Sequence, residues 1–141
     1  MKLNIKNETG KLKSVVLGQP KSMGPVPALE ESYDAKSYYS IEHNIYPKEE
    51  DIISEVTSFE AVLKKYDVEV LRPAIIKDYN QVFARDVAFV IEDKMIISNV
   101  IKDRADEQEA YRKIFEKVEW RKIINLPETA HVEGGDVIVW N

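Results

Sequence analysis

The segments RDVAFVIEDKMIIS (85–98) and GDVIVWN (135–141) share an aspartate followed at once by an apolar run. Asp86 and Asp136 lie 50 positions apart, and each follows a strand-like run and a loop. Recurrence at such a period marks a fold assembled from repeated supersecondary units. The first copy turns at Glu92 and returns as a second strand. The second reaches Asn141 where that turn would begin, which predicts a chain cut in mid-module. A chance match of so short a pattern is the competing reading.

Elements between the copies follow from periodicity and punctuation. LKSVVLG (12–18) reads as a short buried strand closed by Gly18 and Pro20. Residues 19–46 then form a long loop with four tyrosines, Tyr33, Tyr38, Tyr39 and Tyr46, read as a flap or as a surface segment with a helical turn. From Pro47 to Tyr66, Ile52, Ile53, Val56, Phe59, Val62, Leu63 and Tyr66 share one face, which predicts an amphipathic helix. Val68–Leu71 predicts a strand, and Val87–Ile91 with Met95–Ile97 a hairpin turning at Glu92-Asp93-Lys94. A helix is expected over Arg104–Val118, with Asp103 as N-cap and Asp106 and Glu107 in its first turn. Strands at Lys122–Leu126 and Val137–Trp140 complete an α/β order.

Composition removes several function classes. A net charge of −5 without a basic stripe argues against nucleic acid, which is held by Lys and Arg on phosphate. No apolar run approaches the ~20 residues of a membrane helix, and residues 1–10 lack a signal-peptide core, so a cytoplasmic protein is expected. There is no cysteine, hence no disulfide, thiolate metal site or thiol nucleophile from this chain.

The loop Glu133-Gly134-Gly135-Asp136 is the most specific chemistry in the sequence. Paired glycines permit positive φ and close backbone approach. A phosphate loop is disfavoured, because Glu133 and Asp136 would repel the anion. A metal site on His131, Glu133 and Asp136 resembles the zinc deaminase pattern but lacks its cysteines, and no metal is expected. His43 and His131 read as loop residues. A cation held between carboxylates remains: Asp86 and Glu133, at the mouths of corresponding strands, could converge on a guanidinium, whose planar fork pairs with carboxylates. On spacing alone this stands level with Asp86 pairing with Arg85 or capping a turn, and Glu133 lying idle at the surface.

NQVFARDVAFVIEDKMIISNVIKDRADEQEAYRKIF followed by HVEGGDVIVW resembles the guanidino-group-modifying enzymes: arginine deiminases, dimethylarginine hydrolases and amidinotransferases. Those enzymes carry F-x-R-D and E-G-G-D motifs in this order, here Phe83 to Asp86 and Glu133 to Asp136, and KLKSVVLGQP is similar to their first strand. The resemblance spans nearly the whole chain. It implies a pentein fold, a propeller of five ββαβ-type modules, with residues 1–141 forming about the first two as the N-terminal portion of one domain.

It further implies that Asp86 and Glu133 bind a substrate guanidinium and that Arg104 holds the substrate carboxylate, despite a helix N-terminus disfavouring a cation. Asp136 and Leu17 would complete the substrate site, Leu17 through the flap. Asn80, Arg85, Gly134 and Gly135 would brace it.

The implied chemistry uses a cysteine thiolate that forms an amidino-thioether, and a histidine, both from a C-terminal half. The expected activity is hydrolysis of a guanidine without a cofactor, with amidino transfer as alternative. A non-catalytic pentein, as in the ribosomal-subunit anti-association factor, is a reading of another class. The unfinished strand edge predicts pairing of copies into a homo-oligomer.

Overall fold

The structure is a computed structural model and describes residues 1–32 and 34–140, without the side chain of Asp103. Tyr33, Asn141 and the expected Asp103 cap lie outside the described residues.

Two parallel strand pairs, each joined by a helical crossover, organise the chain. In the first, β1 (Ser14–Val16) pairs with β2 (Glu69–Leu71) in the register Val15↔Val70. The connection carries α1 (Ala35–Glu42) and α2 (Glu49–Lys65). α1 lies inside the expected flap and is capped by Asp34, whose carboxylate accepts the N–H groups of Lys36 and Ser37 at 2.9 Å. The flap is also tied at its start. Gln19 N–H donates to the Gln81 carbonyl, Ser22 bonds Asp78 and Tyr79, and Met23 N–H meets the Glu49 carboxylate.

The second unit has the ββαβ order. A one-turn helix α3 (Ala84–Val87) leads into β3 (Ala88–Ile91), which turns at Glu92-Asp93 into β4 (Lys94–Ile97) with Ala88 opposite Ile97. β5 (Ile123–Asn125) then adds in parallel, with Met95 opposite Ile123. The N-terminus covers the hairpin tip through reciprocal backbone bonds between Ile5 and Glu92.

The single helix expected over 104–118 is instead a 3-10 turn (Lys102–Arg104) and two short helices, α4 (Glu107–Ala110) and α5 (Arg112–Phe115). Bonds to the third preceding residue, such as Tyr111 N–H to the Gln108 carbonyl, tighten the winding. That winding puts Ala110, Tyr111 and Ile114 on one buried face against Val87, with Val16, Leu71 and Phe115 packed around them. A second cluster joins Leu3, Met95 and Val118. Along α2 only Leu63 is buried, while Phe59, Val62 and Tyr66 of its expected apolar face are exposed.

Residues 137–140 do not form the expected strand; a 3-10 turn over Gly134–Asp136 runs into extended chain. Among the described residues no neighbouring strand offers these groups a ladder. Side chains hold them instead: Glu8 accepts the Val139 N–H at 3.0 Å, and Arg85 donates to the Val137 carbonyl at 2.6 Å. Among the described residues no helix is long and apolar enough to cross a membrane.

Candidate functional site

Val87, fully buried, fixes the α3 turn in the core and so aims the preceding residue, Asp86, out at the mouth of β3. The Gly134–Asp136 turn lies directly on α3. A Cβ on Gly134 would collide with the Arg85 carbonyl and the Phe89 ring, so this glycine is required by backbone contact. Of the two freedoms that paired glycines permit, positive φ is not used by either, whereas close backbone approach is used by Gly134.

Two hydrogen bonds stitch the turns together. Arg85 Nε donates to the Gly134 carbonyl at 2.7 Å, and Gly135 N–H donates to Asp86 Oδ1 at 3.2 Å. The Arg85 guanidinium also grips both Glu8 oxygens, at 2.9 and 3.2 Å. Arg85 therefore joins α3, the N-terminal arm and the glycine turn. Its hydrogen bonds hold the Glu8 carboxyl down at about 2, aided by the Val139 N–H and, less, by the Arg85 charge.

Asp86 and Glu133 do converge on a guanidinium, and it is that of Arg104. Nη1 lies 3.0 Å from Asp86 Oδ2 and 3.7 Å from Glu133 Oε1. The opposite edge is held in bidentate fashion by Glu107, Nε at 2.7 Å and Nη2 at 3.1 Å. The Phe83 ring stands 6.0 Å from the guanidinium carbon. Glu107 was legible only as a first-turn acid. Its spacing from Arg104, i to i+3, was the signal for a pair on one helical face.

The cluster is half-sealed. Side-chain exposure is 0% for Glu107, 11% for Arg104, 17% for Asp86 and 32% for Glu133, so solvent reaches it from the Glu133 side. Burial works against the Arg104 charge, but the hydrogen bonds it donates to Glu107 and Asp86 outweigh it and hold the pKa above the ordinary value. Burial raises the Glu107 pKa against the pull of Arg104, and the charges of Asp86 and Glu133 add to the rise. Burial also pushes the Tyr111 phenol up, with Glu107 next in effect, and its hydroxyl has no hydrogen-bond partner. Three carboxylates facing one guanidinium leave the site with unmet negative charge.

The other expected site residues lie around this cluster in different ways. Asp136 is exposed, and its N–H bonds the Glu133 carbonyl. Asn80 Oδ1 accepts the Val82 N–H at 3.2 Å, bending the chain ahead of α3. Leu17 N–H donates to the Leu71 carbonyl, extending the β1–β2 pairing, and Gly18 beside it rests on the backbone of Gln81 and Val82. Gln81, not singled out in the sequence, is fully buried and bonds Ala74 and Ile76 through its amide. His131 is exposed, and His43 stacks on Tyr39 with ring centroids 3.9 Å apart. Among the described residues no group of three or more His, Cys, Asp or Glu is placed to hold a metal ion.

No family model matches the chain. No curated protein matches it. Solved structures do. An amidinotransferase of the saxitoxin biosynthetic pathway from Microseira wollei superposes with a TM-score of 0.64 at 21% identity, over 89% of this chain and 42% of its own. Dimethylarginine dimethylaminohydrolase, in an adduct with S-methyl-L-thiocitrulline, gives 0.61 at 15% identity, over 89% and 46%. The inosamine-phosphate amidinotransferase of Streptomyces griseus gives 0.59 at 16% identity, over 91% and 44%. This chain spans less than half the length of each. Its fold is that of part of these solved structures, a partial pentein.

Proposed function

We propose that this chain supplies the guanidinium-recognition part of a guanidine-modifying enzyme of the arginine-deiminase type. The supporting observation is that Asp86 and Glu133, brought from separate segments, face a single guanidinium group. Carboxylates spaced to hold that group from within have the charge and geometry to hold one from a ligand. The solved neighbours fit this reading, since one is an adduct with an arginine analogue and another, an AgrE variant, is a complex with L-arginine.

In the whole protein a cysteine thiolate, which these 141 residues do not contain, attacks the guanidinium carbon. One nitrogen leaves as ammonia or an amine, and water then displaces the thiolate to give a ureido product. Here Asp86 and Glu133 orient the planar group, while residues 19–46 with Leu17 serve as the flap. Amidino transfer is the second reading, favoured by the two amidinotransferases among the neighbours. It differs in that an amine replaces water in the last step.

The test is calorimetric titration of the chain with L-arginine. Asp86→Asn and Glu133→Gln should each weaken binding about tenfold or more, as expected for loss of a charged hydrogen bond. If neither substitution weakens it, the assignment is wrong.

A further inference from the structure

The place where a ligand guanidinium would sit already holds one. Arg104 presents one face of its fork, Nε and Nη2, to the fully buried Glu107, and the other, Nη1, to Asp86 and Glu133. The two halves differ in strength. The Glu107 side is bidentate, short and dry; the Nη1 side has one 3.0 Å bond and one 3.7 Å approach on the side reached by solvent.

We propose that Arg104 is a built-in competitor for its own ligand site: its Nη1 occupies Asp86 and Glu133 in the ligand-free chain, and a guanidine enters by taking over the contacts of Nη1. Glu107 is the positioning residue that keeps Arg104 tethered while this exchange takes place. The inference rests on the guanidine-binding reading of the site.

The physical case has three parts. Without a cation, Asp86, Glu107 and Glu133 would crowd three negative charges into a partly buried space, so an internal guanidinium stabilises the empty state. The planar guanidinium moves as one body, so exchange requires Arg104 and Glu107, three residues apart on one turn, to shift together away from Asp86 and Glu133, which costs the Nη1 contacts and leaves the pair whole. The incoming group is chemically the same as the one it replaces, so Asp86 and Glu133 need no rearrangement to receive it. A primary ammonium lacks the planar fork and would make a poorer exchange.

Methylguanidinium, which has no carboxylate for Arg104 to hold, is the probe. Its affinity is measured for the unmodified chain, Arg104→Ala, the double variant Arg104→Ala/Glu107→Gln and Asp86→Asn, with methylammonium as control. The double variant removes the buried charge that Arg104→Ala leaves unpaired and so guards against unfolding. Competition predicts methylguanidinium binding at least about tenfold tighter once Arg104 is gone, equivalent to ~1.4 kcal/mol. Unchanged or weaker binding overturns the proposal.

A second measurement uses the unmodified chain labelled with 15N-arginine. Methylguanidinium should shift the Arg104 Nη resonances and leave the Nε–H protected, and an unmoved Nη at saturation overturns the proposal even if neither variant folds. Loss of methylguanidinium binding in Asp86→Asn upholds the site itself whatever Arg104 does. Absence of binding by the unmodified chain and all its folded variants removes both readings.

Discussion

Arg104 Nη1 stands 3.0 Å from Asp86 and 3.7 Å from Glu133, while Glu107 grips the other edge of the same guanidinium. One cation therefore joins α3, the head of α4 and the glycine turn, three segments distant in sequence. The stability of the site and its readiness for a ligand meet at this group.

Glu107→Gln keeps the shape of the buried side chain and removes its charge. The amide oxygen can still accept one Arg104 N–H, but the bidentate charged pair is lost, and its NH2 faces a donor. Loss of a hydrogen bond to a charged partner predicts a cost of about 1.5–3 kcal/mol. A urea-unfolding midpoint unchanged from that of the parent chain would show that Glu107 is not holding Arg104.

Acid should release the terminal segment. The Glu8 carboxyl, ordinarily at 4.5, is held at about 2 by Arg85 and by the Val139 N–H. A depressed folded pKa contributes stability that is complete above the ordinary value and is lost as pH falls through the folded one. Docking of residues 137–139 should therefore weaken between about pH 4.5 and 2. Glu107 has the opposite sign: its raised pKa makes stability decline as pH rises from the ordinary carboxylate range. Subtracting the profile of Glu8→Gln from that of the parent isolates the Glu8 part. Trp140, 92% exposed at the end of this segment, is the fluorescent reporter. Identical acid profiles in the two proteins would contradict the assignment.

What could be read from the residues alone divides along physical lines. The hairpin over 88–97 and the strand–helix–strand crossovers were legible because apolar periodicity and turn residues are local properties. The approach of Asp86 and Glu133 to one guanidinium was only half legible: spacing left it level with an idle Glu133, and the second strand mouth on which it leaned does not form. The α3 turn was not legible, since Ala84-Arg85-Asp86-Val87 carries no helical period and winds only because Val87 must reach the core. The 137–140 run has strand composition, but a strand requires a partner and composition cannot supply one. That Arg104 fills the clamp depends on a three-residue spacing to a carboxylate whose burial only the tertiary fold decides.

The two glycines of the turn should behave differently when given a side chain. A Cβ on Gly134 strikes the backbone carbonyl of Arg85, which cannot move without shifting α3, so Gly134→Ala should lower global stability. On Gly135 the Cβ would lie 2.5 Å from Asp86 Oδ1, a side-chain atom that can rotate away. Gly135→Ala should thus leave the unfolding transition nearly in place while weakening methylguanidinium binding, because Asp86 is re-aimed. Equal stability losses in the two variants would refute this separation.

Gln81 is the buried strut beneath the site. Its amide oxygen accepts the Ile76 N–H at 2.8 Å, its NH2 donates to the Ala74 carbonyl at 3.0 Å, and its own carbonyl receives the Gln19 N–H. Gln81→Leu preserves bulk but strands the Ile76 N–H and the Ala74 carbonyl; Ala74 is exposed and Ile76 half-buried, so water can answer part of the loss and the penalty is about 1–3 kcal/mol in total. The loop 74–81 leads straight into α3, so the lost bonds should also loosen Asp86. Hydrogen exchange separates the two effects: the Ile76 amide should lose protection in every case, and Asp86 N–H only if the strut reaches the site. Retained protection at Ile76 in the leucine variant would mean that the loop is held by something other than this side chain.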